Sequence, residues 1–549
     1  MNLLLQHLVV LPIVIPLAAG AAMLFLAEAS RGARAGLALA SVLAQLAIGG
    51  VLLYLTSDAA TYIWQEGVGV YAIGRWPAPF GIVLVVDRLA AVMITLGATV
   101  SLTTLVYSIS RWDRPGQPFH SLFQLLTMGL NGAFLTGDLF NLFVFFEVLL
   151  AASYGLVLRG GGTARVKAGM HYIVVNLTAS FLFLIGVALI YGVAGTLNMA
   201  DLAGRVAALT REDRALFDAG AAVLGVAFLV KAGSWPLNFW LPGAYSAASA
   251  PVAAMFAMMT KVGLYAVLRV GTILGADDRL GAALLYLGLA TLVTGSIAML
   301  GARHLARLVA YSVLVSTGIL LAALGLQVDA LTSPVLFYLI VSVLTTAAFF
   351  MLTGMTERTR AAEAPGDARD DAASEVPPIY VGYGIKEPSV QPDEDEEIGI
   401  PIPATIAFLG LMFVCCVLLV TGLPPLPGFL AKFALLSAAL AQPPGADGSP
   451  AVWALCGAVL LSGFAGIVAL SRIGIRLFWS PIARETPRLR VLEAAPVALL
   501  VMLCIGLSIG ATAVTGYLDA AARSLHQPDT YIRVVLAQRG GEHAGESTQ

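Results

Sequence analysis

Runs of about twenty apolar residues, each long enough to cross a bilayer as a helix, recur along almost the whole chain. They fall near 5–27, 35–55, 81–108, 120–136, 138–158, 170–194, 217–240, 250–272, 280–301, 305–326, 332–354, 402–422, 427–479 and 491–518. The thirteenth interval is too long for one crossing. Residues 427–441 read better as the second half of a broken twelfth helix, and 451–479 as the thirteenth. Hydrocarbon offers backbone groups no water, so each crossing must satisfy its own hydrogen bonds. The expected fold is therefore all-α and polytopic, with about 14 transmembrane helices. Composition agrees: 59% of residues are hydrophobic and 12% charged, against about 25% charged in an average soluble domain. The N-terminal run lacks a basic leader and continues past residue 25, which reads as an uncleaved spanning helix.

Several function classes find no support. The four cysteines, Cys415, Cys416, Cys456 and Cys504, lie in apolar runs without a CxxC pair, so structural roles are expected rather than an iron–sulfur or zinc site. No P-loop or dinucleotide fingerprint occurs, and GVGVYAIGR at 67–75 fits neither. A formal net charge of −2 gives no reason to expect a nucleic-acid partner. No organic cofactor and no metal is expected, and any redox or nucleotide chemistry coupled to the chain belongs to a partner.

Orientation follows the excess of Lys and Arg in cytoplasmic loops. The odd-numbered loops hold more of them than the even loops and the C-terminal tail, which places the odd loops in the cytoplasm and both termini outside. The long loop 355–401, with GDARDDAASE and PDEDEE, is too acidic to bury and reads as a disordered linker or a partner-docking tail.

Charges inside the crossings are the informative residues, since one at the bilayer centre costs about 2.5–3.5 kcal/mol on insertion scales. Arg88 follows Asp87 at the start of the third span and reads as interfacial snorkelling. Glu147 interrupts LFNLFVFFEVLLA. Lys231, in AFLVKAGSWPLNFWLP, and Lys432, in GLPPLPGFLAKFALL, both stand beside Gly/Pro-rich interruptions. Proline removes a backbone donor and breaks the helix, and freed backbone survives at membrane depth only against protein or a wet cavity. Two broken helices in the two halves of a chain point to a transporter with internal repeats. Lys261, in MFAMMTKVGLYAV, has no break beside it.

A desolvated lysine gives up its proton readily, and a nearby carboxylate opposes this. Glu147 would then set the proton affinity of Lys231; the bland alternative is a static ion pair joining two helices. Asp138 opens the fifth span, either as a helix cap or as a guide for protons. Tyr154 lies seven residues after Glu147 on the same face. His171 and His304 stand near helix ends. Asn176, Thr178, Ser180, Ser312, Ser316 and Thr317 either line a hydrated path or pack helices.

Together GDLFNLFVFFEVLLAASYGLVL, KAGSWPLNFWLP, MTKVGLYAVLR, ARLVAYSVLVSTG and LPPLPGFLAKF resemble the antiporter-like subunit family shared by Mrp/Pha-type multisubunit cation/proton antiporters and respiratory complex I, from about residue 80 to 480. FNLFVFFEVLLAASY and WPLNFWLPGAYSAASAPVAAMFAMMTKVG look most like the D subunits of the antiporters. The resemblance implies two inverted five-helix repeats, with N-terminal helices in 1–119, one repeat in 120–272, a second in 280–479 carrying the acidic loop 355–401, and a last helix and tail in 491–549. It implies proton-carrying roles for Glu147, Lys231, Lys261 and Lys432, and membrane subunits of the same complex as partners. The expected function is inward H⁺ movement in exchange for Na⁺ or K⁺, at a bacterial inner membrane, by a transporter rather than an enzyme. The alternative is a proton-pumping subunit of a redox complex. One departure stands out: where many relatives carry His and Lys in helix eleven, this chain has Val341 and Thr346. Water held by Ser342, Thr345 and Thr346 would have to fill the gap.

Overall fold

The computed structural model describes residues 7–26, 30–60, 63–76, 81–111, 119–275, 278–363, 404–441, 450–478 and 489–537. Helices α1 (Leu11–Phe25) and α2 (Arg31–Leu55) come first, followed by a hairpin of β1 (Gly69–Ala72) and β2 (Val83–Val86). Then come α3 (Arg88–Arg111), α4 (Phe119–Leu135), α5 (Leu139–Val157), α6 (Thr163–Ala194), the short α7 (Met199–Val206) and α8 (Arg211–Ala232). The middle of the chain forms α9 (Trp240–Ala247), α10 (Ala250–Leu274), α11 (Asp278–Gly301), α12 (Leu305–Gly325) and α13 (Asp329–Glu363). The last group is α14 (Ala404–Thr421), α15 (Pro427–Leu440), α16 (Pro450–Phe478), α17 (Val491–Ile509), α18 (Ala511–His526) and α19 (Asp529–Ala537).

Among the described residues, 12 helices are long and apolar enough to cross a membrane. The shorter α1 and α4 pack against each other and against crossing helices, which completes an all-α polytopic bundle of the expected size. The seventh crossing is broken into α8 and α9, and the twelfth into α14 and α15.

Several expected boundaries move. Residues 83–86 are strand, not the start of the third crossing: the β-branched run Val-Leu-Val-Val pairs with Gly69–Ala72, and α3 begins only after Asp87, whose carboxylate accepts the Ala90 N–H at 2.9 Å. The interval 491–518 divides at Gly510 into α17 and α18. The short helices α7 and α19, with apolar residues on one face, are too short to cross and leave no run of spanning length in the sequence. Helix α13 runs through residue 363, so the first residues of the acidic loop continue a helix; 364–401 lie outside the described residues.

Alternation of crossings sorts the loops onto two faces, and the contacts respect that sorting. On the even face, Glu66 pairs with Arg533 at 2.6 Å and Asp329 with His526 at 3.1 Å. On the odd face, arginines reach carbonyls at the ends of neighbouring helices: Arg165 to Ala247 O at 2.8 Å, Arg472 to Leu300 O at 2.6 Å, and Arg490 to Ser110 O at 2.7 Å. Cations are favoured there, because the last carbonyls lack partners and carry the negative end of the helix dipole.

Helices α10 and α13 form the centre. Their apolar windows are buried on all sides, as expected of helices that are hydrophobic all round. Helix α10 packs against α3, α8, α12 and α13, and α13 packs against α12, α14, α15 and α17.

Candidate functional site

Helix α8 ends because Gly233 takes up a left-handed conformation, φ 78°. That places Lys231 in the last helical turn, 4% exposed, where C-terminal carbonyls favour an ammonium. The interruption that follows is satisfied from outside: Thr291 Oγ1 on α11 accepts the Trp235 N–H at 2.8 Å. Lys231 Nζ donates to Ser180 Oγ on α6 at 3.2 Å and lies 4.9 Å from the centroid of the Phe146 ring. The Ser180 hydroxyl in turn donates to Glu147 Oε1. Glu147, half-buried on α5, and Lys231 are thus joined through a serine rather than in a direct ion pair. Ser180 is one of several polar residues on α6, and no sequence signal singles it out.

Lys261 sits in the central helix, 2% exposed, and its Nζ donates to Ser316 Oγ on α12 at 3.0 Å. Two residues on, Gly263 abuts α8 so closely that a Cβ would meet Ala232 N at 2.6 Å. The backbones bearing Lys261 and Lys231 therefore touch.

Lys432 reaches back across the second break. Its Nζ donates to the carbonyls of Val420 at 3.0 Å and Thr421 at 2.9 Å, the last residues of α14, which have no partners within their own helix. Gly422 follows at φ 78°, and a Cβ there would stand 2.7 Å from Lys432 Cδ. Counted from the terminating glycine, Val420 occupies the place that Lys231 holds before Gly233. Both ammonium groups therefore gather at the same end of a first half-helix, one on its own helix and one from the half that follows.

The remaining candidates divide. Asp138 is the N-cap of α5, accepting the Asn141 N–H at 2.9 Å. Tyr154 has a buried hydroxyl with no hydrogen-bond partner and stands 5.2 Å, edge-on, from Tyr172. Thr260 and Thr317 also carry unpartnered buried hydroxyls. Ser312 and Ser342 are buried but donate to carbonyls of their own helices, Val309 and Leu339. Thr345 is buried against Cys504, with 4.0 Å between Oγ1 and Sγ, and Thr346 is buried. Asn176 is buried and bonded to Tyr172 O, whereas Thr178, His171 and His304 are exposed. None of Ser312, Ser342, Thr345, Thr346 or His304 hydrogen-bonds a lysine of the site.

Arg269 is a buried charge that the sequence does not single out: it falls inside the expected 250–272 crossing, but so near its end that it reads as solvated at the interface. It lies within α10, 4% exposed, and grips Asp87 through both terminal guanidinium nitrogens at 2.5 and 2.7 Å. Arg88, expected to snorkel to the interface beside Asp87, pairs with the exposed Asp58 and with Thr56 O.

The family described as NADH:quinone oxidoreductase/Mrp antiporter, TM, matches residues 136–367. A probable K(+)/H(+) antiporter D subunit from Rhizobium meliloti (strain 1021) is 49% identical, covering 98% of this chain and 99% of its own. A Na(+)/H(+) antiporter D subunit from Bacillus subtilis (strain 168) is 32% identical over 97% of this chain and 100% of its own. In the Mrp complex of Dietzia sp. DQ12-45-1b, one chain superposes with a TM-score of 0.79 at 25% identity, covering 97% of this chain and 99% of that one. A chain of the archaeal membrane-bound sulfane sulfur reductase superposes equally well, at 0.79 and 24% identity, covering 97% and 100%, which shows a shared fold. The chain belongs to the NADH:quinone oxidoreductase/Mrp antiporter family of membrane subunits, on the branch of the antiporter D subunits.

Proposed function

We propose that this chain is the proton-carrying D-type subunit of a multisubunit monovalent cation/proton antiporter, admitting H⁺ while the assembly expels Na⁺ or K⁺. The observation that carries the reading is the Glu147–Ser180–Lys231 chain, a carboxylate and an ammonium linked by a hydroxyl that can both accept and donate. A proton held by Lys231 is stabilised while Glu147 is linked to it and released when that link opens. Lys261, against the same helix pair, takes it toward the centre, and Lys432 serves the second half. The unpartnered hydroxyls of Tyr154, Thr260 and Thr317 are groups able to bond water along such a path.

In this reading the first repeat spans 120–272 and the second 280–479. The matching glycine breaks, with an ammonium at the same end of each first half-helix, support that division. The membrane is a bacterial inner membrane. The arginine-rich odd face is cytoplasmic and both termini are periplasmic, in keeping with the positive-inside rule. A redox-driven pump is the competing reading, but its structural support is a shared fold at 24% identity, whereas subunits named as antiporter components match end to end at 49% and 32%.

The test is cation-dependent proton exchange in everted vesicles carrying the whole complex, with Na⁺ and K⁺ compared. Glu147→Ala and Lys231→Ala should abolish exchange in complexes that still assemble. Undiminished exchange in both would sink the proposal and leave the serine-bridged contact a static tie between helices.

A further inference from the structure

Away from the lysines, helices α2, α3, α13, α17 and α18 leave an apolar groove of about 610 Å³ between them. Its lining includes Ile340 and Leu344 of the central helix α13 and Val92, Leu96 and Thr99 of α3. The opposite wall turns at Gly510, where α17 gives way to α18. Gly506 belongs to that wall, and an added Cβ there meets no atom within 4 Å. Tyr54 and Leu503 also line the groove and are exposed, so it opens sideways, toward the bilayer.

Water is a poor occupant. A buried water needs about two to four polar partners, and the polar side chains of the lining are Tyr54, Thr95, Thr99 and Tyr517. Thr95 and Thr99 donate to Ala91 O and Thr95 O, each at 2.8 Å, and the Tyr517 hydroxyl lies 2.7 Å from Thr56 Oγ1. Left empty, a void of this size would forfeit the dispersion contacts of its whole lining. The surface accepts an apolar chain.

The head of that chain is set by what stands at the mouth. Arg88, Val92, Thr95 and Thr99 fall at i, i+4, i+7 and i+11, one stripe of α3. Arg88 therefore heads the wall, about 6 Å above Val92 by the helical rise, and the groove runs about 10 Å deeper to Thr99. Arg88 Nε donates to Thr56 O at 2.8 Å, which ties the guanidinium to the residue that holds Tyr517. One terminal nitrogen pairs with the exposed Asp58, and the other is bonded to no described residue. A cation and an anion side by side match a zwitterionic head, with phosphate on the guanidinium and ammonium on the carboxylate. Tyr54 and Tyr517 stand at the same end, where amphipathic rings favour the membrane interface.

We propose that this groove binds one acyl chain of a phosphatidylethanolamine-type phospholipid from the surrounding bilayer, its phosphate on Arg88 and its ammonium at Asp58. The lipid seats against the central helix as a fixed component of the subunit. Only its leaflet, the periplasmic one, rests on the orientation proposed above.

The experiment places the assembled complex in vesicles of phosphatidylethanolamine that carries a photoactivatable group on one acyl chain, and maps the adducts by mass spectrometry. Ile340 and Leu344 should be labelled, although α13 is a central helix. Leu460 and Phe464, exposed on α16, report general contact with lipid. Gly506→Phe fills the groove and should cut the α13 adducts about tenfold while those on α16 persist. If that variant does not assemble, Ala513→Phe, on the same wall, carries the same expectation. Arg88→Gln should lower the α13 adducts roughly threefold or more, the modest weight of an interfacial charge contact. A diacylglycerol with the same labelled chain and no phosphate should label α13 as weakly in the wild type as the phospholipid does in Arg88→Gln. Absence of adducts on Ile340 and Leu344 would overturn the proposal and give the groove to a helix of a partner subunit. Equal labelling by diacylglycerol and phospholipid would overturn it too, since any chain would then serve.

Discussion

Lys231 and Glu147 are held apart by one atom, the Ser180 hydroxyl oxygen, which accepts from the ammonium at 3.2 Å and donates to the carboxylate. A direct pair would fix the proton on the lysine by charge alone. With a hydroxyl between them, rotation of one side chain changes how strongly the carboxylate is felt. Ser180→Ala removes that adjustable link while leaving both charged groups in place. Exchange in vesicles should fall roughly tenfold, less than for Glu147→Ala, since the loss of one hydrogen bond to a charged group is worth about 1.5–3 kcal/mol. An unchanged rate in Ser180→Ala would show that the serine merely fills space.

Arg269 and Asp87 make a different kind of pair. It is bidentate and buried, and it is held further by Tyr265, whose hydroxyl lies 3.3 Å from Arg269 Nε and donates to Phe134 O at 2.7 Å. The guanidinium also stands 5.5 Å from the Tyr531 ring of α19. It ties α3, α10 and the C-terminal helices together, which is a structural task. Breaking a buried pair from one side leaves an uncompensated charge and costs about 3–5 kcal/mol. Asp87→Ala should therefore lower the melting temperature of the purified complex markedly. The double variant Asp87→Ala, Arg269→Met, with no charge left over, should regain most of it. Equal losses in the single and double variants would contradict this account.

These two pairs show what is legible in the sequence and what is hidden. Interrupted apolar runs announce the two broken helices, and Lys231, Lys261 and Lys432 stand out because an ammonium is costly in hydrocarbon. The identity of each partner is not legible. Ser180 and Ser316 are ordinary hydroxyl residues in helices with several such residues, and only packing decides which one meets a lysine. Arg269 is hidden by its nearness to a span's end, where a charge is normally solvated; α10 is buried to its last turns, so its partner has to come from the hairpin side of the bundle. Short elements such as β1, β2, α7 and α19 escape because they do not cross the membrane.

Glu66, outside the membrane-spanning helices, offers a pH-dependent contact. Thr530 donates a hydrogen bond to its carboxylate, and Arg533 pairs with it at 2.6 Å. The Thr530 bond, with the charge of Arg533 adding to it, outweighs the opposing effect of desolvation and holds the carboxyl below its ordinary value of 4.5. A carboxylate with a depressed folded-state pKa contributes its tie above the unfolded value and loses it as pH falls through the folded one. Hydrogen exchange in 529–537, taken relative to the intrinsic amide rate at each pH, should thus be flat near neutrality and rise only below the usual carboxylate range. Glu66→Gln should show the raised exchange at every pH. The group is solvent-exposed, so added salt should weaken the effect. A rise beginning near pH 6 would point to a histidine instead.

Gly422 controls where the Lys432 ammonium can sit. Its φ of 78° is a conformation that costs an L-residue roughly 1–2 kcal/mol, and an added Cβ would press on Lys432 Cδ at 2.7 Å. A lysine side chain can yield where backbone cannot, so Gly422→Ala should fold and assemble with Lys432 pushed off the Val420 and Thr421 carbonyls. Those carbonyls end a broken helix and have no substitute partner of their own, so the local structure loosens as the proton carrier is displaced. Exchange should drop about tenfold or more while complex yield stays near normal, and Lys432→Ala on top of Gly422→Ala should add little, because both changes remove the same contact. Additive losses in the double variant would mean that the glycine matters for the break itself and not for the lysine.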